Sequence, residues 1–466
     1  MKMTVGEILT ATRGRLEAGA FDAAVTGVST DTRTLKEGDL FIALAGERHD
    51  GHDHLGEAAR KGALGAVVSK DIRTDIANVV RVGDTLTALG DLALSWRRRF
   101  PIPVVGVTGS NGKTTAKDLI AAVLSTRYRV LKTEGNFNNL IGLPLTVFRL
   151  SGDEDIAVLE MGMNRPGEIG RLAEIAEPTV GVITTVARAH LEGLGSLANV
   201  AKAKGELLDR LPPGGLAVLP SDNVYFDILK KRALRRGARV AGFGTGGDSD
   251  YRATSSRVEG LAGIAFEARW QGGRASFRMP VAGRHNVWNA LAALAVGTHF
   301  QVPLVSIRMA MAKFRAGSQR MEIVNVGGGI EVINDCYNAN PDSTIASLEF
   351  LKDLGRRPGR RRRIAVIGEM LELGKFTKAT HREIGRRAAQ ARVTLLVAVG
   401  PHAGDMAAAA RRAGLKASCA IAFPSVDEAL PLVKSVLRKG DLVLVKGSRG
   451  MKMERITEHL GKGEKV

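Results

Sequence analysis

The stretch that most constrains this chain is VVGVTGSNGKTTAKDLI, residues 104–120. Val104 to Val107, with Gly106 among them, reads as a short buried strand. Gly109-Ser110-Asn111-Gly112 follows as a glycine-rich turn, and Lys113, Thr114 and Thr115 open an apolar-periodic helix. Backbone N–H groups in such a turn can close on an anion, and the helix N-terminus adds a favourable dipole. Lys113 is then placed for the β- and γ-phosphates of a nucleotide, and the Thr114 hydroxyl for Mg²⁺. The spacing departs from GxxxxGK[ST], which requires a glycine at position 107 where Val107 stands; the loop has the shorter TGxNGKT[ST] form. The plainer reading is a generic glycine-rich turn between strand and helix. Lysine and threonine directly after the last glycine argue against it.

Such a unit needs a large core around it. At 466 residues the chain should divide into roughly two to four domains. No apolar run approaches the ~18–20 residues that span a bilayer, so no membrane insertion is expected. The N-terminal segment is interrupted by Glu7, Arg13 and Arg15 and does not read as a signal peptide. Two cysteines, Cys336 and Cys419, make no disulfide framework and suggest a reducing cytoplasm. A formal charge of +19 fits a nucleic-acid binder, a polyanionic substrate or an arginine-rich background. With aromatic residues at 5%, a base-stacking platform is poorly supplied, so no nucleic-acid partner is expected. The basic clusters, Arg97-Arg98-Arg99 and RRPGRRRR at 356–363, read as solvated connectors.

Strand-like and helix-like runs alternate along the chain, which argues an α/β protein with parallel sheets. Three blocks emerge: residues 1–98, 99–316 and 317–466. In the middle block strands are expected at 104–107, 156–160, 179–183, 216–219 and 239–243, with small antiparallel strands over 250–282. The last block alternates apolar runs at 364–367, 394–399 and 442–445 with helices, a Rossmann-like pattern without GxGxxG.

Several polar groups fall where such sheets bind ligands. Glu160 ends a strand, and a strand-end carboxylate suits Mg²⁺; the bland alternative is a solvated glutamate. His190 follows the next strand in ITTVARAHLEGLGS, with Ser196 placed to cap the following helix. Lys202 and Lys204 on that helix read, by themselves, as two exposed lysines. Asp335-Cys336-Tyr337-Asn338-Ala339-Asn340-Pro341 ends an apolar run; its Asp, Tyr and Asn side chains could bind ribose and amide groups or simply form a turn.

Together these segments resemble the Mur ligase family over essentially the whole chain. DTRTLKEGDLFIALAGERHDGHDHL (31–55) resembles the family's uridine-nucleotide segment, with Thr32 in place of the usual serine. GSNGKTT, GNFNNLIGLPLT (135–146), LEMGMNRPGEI (159–169), GRHNVWNALAA (283–293), DCYNANPDS (335–343), GEMLELG (368–374) with His381, and VKGSRGMKME (445–454) match further on. Thr185 stands where the family commonly has asparagine.

The resemblance implies three domains: a small N-terminal α/β substrate domain, a central parallel-sheet ATPase domain with the phosphate loop, and a C-terminal Rossmann-like domain. It implies an ATP- and Mg²⁺-dependent amide ligase. YNANP and GEMLELG point to the branch that joins D-alanyl-D-alanine to UDP-N-acetylmuramoyl-tripeptide. The other readings are the ligase one step earlier, a P-loop ATPase that is no ligase, and a nucleic-acid binder. By resemblance, Gly109 to Thr115, Asn286, Arg320, Asp335 and Tyr337 serve ATP, and Thr114, Glu160 and His190 serve the metal. Lys204 corresponds to a lysine carbamylated in the family and joins the metal set. Thr32, Arg33, Asn138, Asn139, Asn338, Asn340 and Lys446 serve the substrates. A monomer is expected.

Overall fold

The computed structural model describes residues 1–46, 49–354 and 361–461. Glu47 and Arg48 of the 31–55 segment, residues 356–360 of the arginine run and residues 462–466 lie outside them. The middle of the described chain is a nine-stranded sheet. From one edge its strands are Val130–Lys132, Ile156–Glu160, Val104–Thr108, Val180–Ile183, Leu216–Pro220 and Arg239–Gly244, all parallel. Tyr251–Val258 continues parallel, and Ile264–Trp270 and Gly273–Met279 close the sheet antiparallel. The expected small antiparallel strands thus extend the parallel sheet.

Val104–Thr108 lies inside this order, with Ile156–Glu160 on one side and Val180–Ile183 on the other. The chain leaves it toward one edge and returns to its opposite flank. The order reverses there, and ligands bind beyond the carboxyl ends of strands at such a reversal. All five residues of the strand are buried. Val105 and Val107 pack with the helices Lys113–Leu124 and Asn286–His299, and Val104 packs with Leu172 and Leu207 on the other face. Burial on both faces explains a continuous apolar run in place of alternation.

A five-stranded sheet precedes this one, with Asp39–Ile42 and Gly65–Val68 at its centre. A six-stranded sheet follows it. Glu331–Asp335, Leu442–Lys446, Arg363–Ile367, Leu395–Val399 and Ala420–Phe423 run parallel, and Glu322–Asn325 pairs antiparallel at the edge. Both cysteines are free, and no helix among the described residues is long and apolar enough to cross a membrane.

Among the described residues of the arginine clusters, Arg97 and Arg361 are not solvated connectors. Arg97 ends the helix Thr85–Arg97 and is 5% exposed. Its guanidinium donates to the carbonyls of Ala176 (3.0 Å), Ile102 (2.7 Å) and Phe100. Those carbonyls lie where the first block meets the middle sheet, and their hydrogen bonds offset the burial of a charge. Arg98 pairs with Glu177, and Arg99 stacks over Trp96 and pairs with Glu7. Of the second run, Arg361 pairs with Glu331 and donates to the carbonyls of Gly440, Gly329 and Asp441.

Arg97→Ala, which strands buried carbonyls, is expected to destabilise this junction by about 2–4 kcal/mol, whereas Arg98→Ala, which loses an exposed pair, costs less than about 1 kcal/mol. Denaturant unfolding followed by tryptophan fluorescence measures both; equal effects would refute the distinction.

Candidate active site

The loop after Val104–Thr108 is closed by glycines that cannot be replaced. Gly109 has φ +152°, and a Cβ there would lie 1.9 Å from Thr184 Oγ1. Gly112 has φ +80°, and a Cβ would lie 2.5 Å from Asn289 Oδ1. L-residues disfavour both conformations. Gly112 opens the helix Lys113–Leu124 without a side-chain cap, which leaves the N–H groups of the first turn for an external acceptor. Ser110 turns inward: its Oγ donates to Ala187 O and accepts from Ala187 N, each at 2.9 Å. Its N–H donates to Thr185 O (2.8 Å), so Thr185 acts through its main chain.

Lys113 Nζ folds back onto Gly109 O at 2.8 Å. Burial holds its pKa below the ordinary lysine range, and Arg320 adds repulsion against the attraction of Glu160 and Glu372. Thr114 Oγ1 accepts from Arg320 at 2.9 Å, and the Arg320 guanidinium lies 3.8 Å from the Tyr337 ring centroid.

Glu160 is 1% exposed at the end of its strand. Its Oε1 accepts from Asn138 Nδ2 (2.8 Å), while Oε2 has no hydrogen-bond partner among the described residues. His190 adopts φ +55° and places Nδ1 2.7 Å from Glu372 Oε2. Ser196 caps the helix Leu197–Lys204, as expected. The two lysines of that helix separate: Lys202 is exposed, but Lys204 is 1% exposed. Its Nζ has no acceptor among the described residues. Burial, with repulsion from Lys113, holds its pKa well below the ordinary range.

These groups surround a cavity of about 880 Å³ between the middle and last sheets. Gly112 to Thr115, Glu160 and His190 line it from one side, and Arg320, Asp335, Tyr337, Asn338, Asn340 and Lys446 from the other. Ser110, Asn111, Asn138, Asn139 and Asn286 complete the wall. Gly109, beneath the loop, and Lys204 are not among the lining residues. Nor are Thr32, which is buried and donates to Glu57 Oε2 (2.9 Å), and Arg33, whose exposed guanidinium pairs with Asp31.

Several lining side chains are already engaged within the protein. Asp335 accepts from Lys446 Nζ (2.6 Å), Ser347 Oγ (2.7 Å) and Met321 N (3.2 Å). Asn139 Oδ1 caps the helix Gly142–Val147 through the N–H groups of Ile141 and Gly142. Asn340 Oδ1 accepts from Ser343 N at the start of Pro341–Leu354, and its Nδ2 donates to Asn111 Oδ1 (2.6 Å). Asn286 bridges Ala282 O and Asn289. Asn338 Oδ1 accepts from Ala339 N.

Four contributors, Arg188, Asp342, Glu383 and Glu372, were missed in sequence. Arg188 donates from NH2 to Asp342 Oδ1 (2.6 Å) and from NH1 to Glu383 Oε2 (2.7 Å), and Glu372 meets His190. Arg188, Asp342 and Glu372 sit inside segments singled out above, but nothing local marks them as partners.

The arrangement sets an anion cradle and an unsatisfied buried carboxylate oxygen opposite a second cationic wall. Comparison with known proteins agrees with this layout. Residues 24–97 match the Mur ligase family catalytic domain, residues 107–297 the Mur ligase middle domain, and residues 319–449 the Mur ligase glutamate ligase domain. The chain is 36% identical to the UDP-N-acetylmuramoyl-tripeptide–D-alanyl-D-alanine ligase of Bacillus subtilis, over 99% of this chain and 98% of that protein. A crystal structure of MurF from Acinetobacter baumannii superposes with a TM-score of 0.91 at 29% identity, covering 99% of each chain. The MurF ligase of Thermotoga maritima in complex with ADP gives 0.81 at 28% identity, covering 94% of this chain and 97% of that one. With three consecutive domain matches and a relative alike from end to end, this chain belongs to the Mur ligase family.

Proposed function

We propose that this protein is an ATP-dependent ligase that joins D-alanyl-D-alanine to UDP-N-acetylmuramoyl-tripeptide, the last cytoplasmic step in making the peptidoglycan pentapeptide precursor. The end-to-end likeness to ligases of that name carries the reading. The free cysteines fit a reducing compartment. In this reading residues 1–98 take the uridine nucleotide through Thr32 and Arg33, residues 99–316 take ATP, and residues 317–466 close over both.

A carboxylate is a poor electrophile, so the reaction first transfers the γ-phosphoryl group of ATP to the terminal carboxylate of the tripeptide. The amine of the dipeptide then attacks the acyl phosphate, and the tetrahedral intermediate expels phosphate. Both steps develop negative charge on oxygen. The N–H groups of the first helical turn, and Lys113 once its Nζ leaves Gly109 O, would stabilise that charge. Arg320 brings a cation to the same loop from the last sheet. Holding three reactants in line is worth roughly 7–11 kcal/mol, and closure of the two walls on the bound reactants would keep water from the acyl phosphate.

The residues present fit Mg²⁺. Glu160 Oε2 is a buried, unpartnered oxygen, and hard cations require oxygen donors. No group of three His, Cys, Asp or Glu residues among the described ones could hold a metal alone, which suits an ion that keeps waters and substrate phosphates as ligands. Thr114, Glu160, His190 and Lys204 would hold it. When bound, it supplies Lewis-acid stabilisation of the phosphoryl oxygens. Lys204 contributes as a carbamate in this proposal. Burial lowers the pKa of this amine and so favours its neutral form, whose lone pair can attack CO₂; the C–N bond forms, one proton leaves, and an anionic oxygen donor results. The product also turns repulsion by Lys113 into attraction.

Incubation with ATP, UDP-N-acetylmuramoyl-tripeptide and D-alanyl-D-alanine should release ADP and phosphate only as the amide forms; ADP release without dipeptide, or use of the dipeptide-substrate precursor plus a single amino acid, would overturn the assignment. Lys113→Ala should lower turnover on the order of 10²–10³-fold while the fold is retained; near-normal turnover would remove Lys113 from the mechanism. Lys204→Ala should lower activity on the order of 10–100-fold, with partial rescue by short-chain carboxylates. The wild type, but not the variant, should carry a carbamate signal in ¹³C NMR with labelled bicarbonate. A missing signal in wild type would end that proposal.

A further inference from the structure

The helix Phe226–Arg235 lies on the outside of the middle sheet. Leu229 and Ala233 are its buried residues. Arg232 ties it to the helix carrying Lys204 by donating to Lys202 O, and to the following helix Glu206–Asp209 by donating to Asp209 Oδ1, each at 2.6 Å. Its outer face combines two features that a solvated helix keeps apart. Val224, Ile228 and Leu234 are 84%, 61% and 51% exposed. Among them stand Lys230, Lys231, Arg235 and Arg236, all exposed, against one acidic residue of the helix, Asp227. Lys230 lies over the Phe226 ring. Lys231, Arg235 and Arg236 have no side-chain hydrogen bond or ion pair among the described residues.

Ile228, Lys231 and Arg235 recur at helical spacing and share one face, with Leu234 beside them. Protruding aliphatic groups and unpaired cations therefore point the same way. We propose that this face docks the protein on an anionic phospholipid surface. Val224, Ile228 and Leu234 enter the boundary between headgroups and acyl chains, and Lys231 and Arg235, with Lys230 at the flank, meet lipid phosphates. A nucleic acid would match the charge but offers nothing to cover three aliphatic side chains, and the patch lacks an aromatic group exposed for base stacking. The contact is peripheral and spans nothing. It also has an orientation: Asn223, next to Val224, lines the cavity described above and is pinned by donating to Val186 O (2.9 Å). Docking by this helix sets the cavity beside the lipid.

The test is sedimentation of the full-length protein with phosphatidylglycerol-containing vesicles and with phosphatidylcholine vesicles, at low and high salt. Binding should require the anionic lipid and fall as salt rises. The pairs Lys231→Glu/Arg235→Glu and Ile228→Ser/Leu234→Ser should each cut partitioning by more than about tenfold, with turnover in solution unchanged. Arg386→Glu/Arg387→Glu, the same charge change on the helix Thr377–Gln390, should leave partitioning within about twofold. Absence of binding to anionic vesicles would overturn the proposal. So would an equal loss in the Arg386/Arg387 variant, which means net charge alone. Full binding by the Ile228/Leu234 variant, or retention on duplex DNA in place of vesicles, would overturn it equally.

Discussion

One side chain, Thr184, holds the phosphate loop in place. It stands just beyond the strand Val180–Ile183, and its hydroxyl donates to Asn111 O (2.6 Å) and meets Thr108 O (3.3 Å). The loop can approach that hydroxyl only because position 109 has no side chain. The parallel register sets Thr108 beside Ile183 and so brings the two loops together. Glu160 is delivered from the other flank by the register that aligns it with Val107. The anion cradle and the free carboxylate oxygen thus follow from the order of three adjacent strands.

The second wall is brought in by polar contacts of a different kind. Arg320 to Thr114, Asn340 to Asn111, Arg188 to Asp342 and Glu383, and Glu372 to His190 all bridge the middle and last sheets. The side chains of the Arg188 pairs are between 24% and 35% exposed. Partly solvated pairs each contribute little, about 0–1 kcal/mol at the surface. A junction built from them can be strong in sum and still separate at low cost, as substrate entry and product release require. The contrast is with Arg97, whose buried guanidinium satisfies main-chain carbonyls where the first block meets the middle sheet.

The charge of the chain resolves along the same lines. Arg97 and Arg361 are structural, Arg188 bridges the middle and last sheets, Arg320 lines the cavity, and the helix Phe226–Arg235 carries cations that are unpaired among the described residues. These cations thus serve distinct physical tasks.

Much of the site was legible in sequence where the signal is local. The glycine–lysine spacing at 109–113, the strand ending at Glu160 and the cap at Ser196 each lie within one turn or one strand, where periodicity and turn chemistry act directly. Apolar runs at 364–367, 394–399 and 442–445 alternating with helices likewise marked the Rossmann-like last block. Other features were decided only by tertiary structure. Lys202 and Lys204 have the same local surroundings, yet one is exposed and the other buried without a partner among the described residues, because helix packing chose between their faces. Asp335 is joined to Lys446 across 111 residues, and Arg320 to Thr114 across 206. Asn139 and Asn340, expected as substrate contacts, line the cavity and also accept hydrogen bonds from the N–H groups that open helices, which the motif does not reveal. Such pairings depend on strand register and sheet order, which bring distant segments together and which no local window encodes.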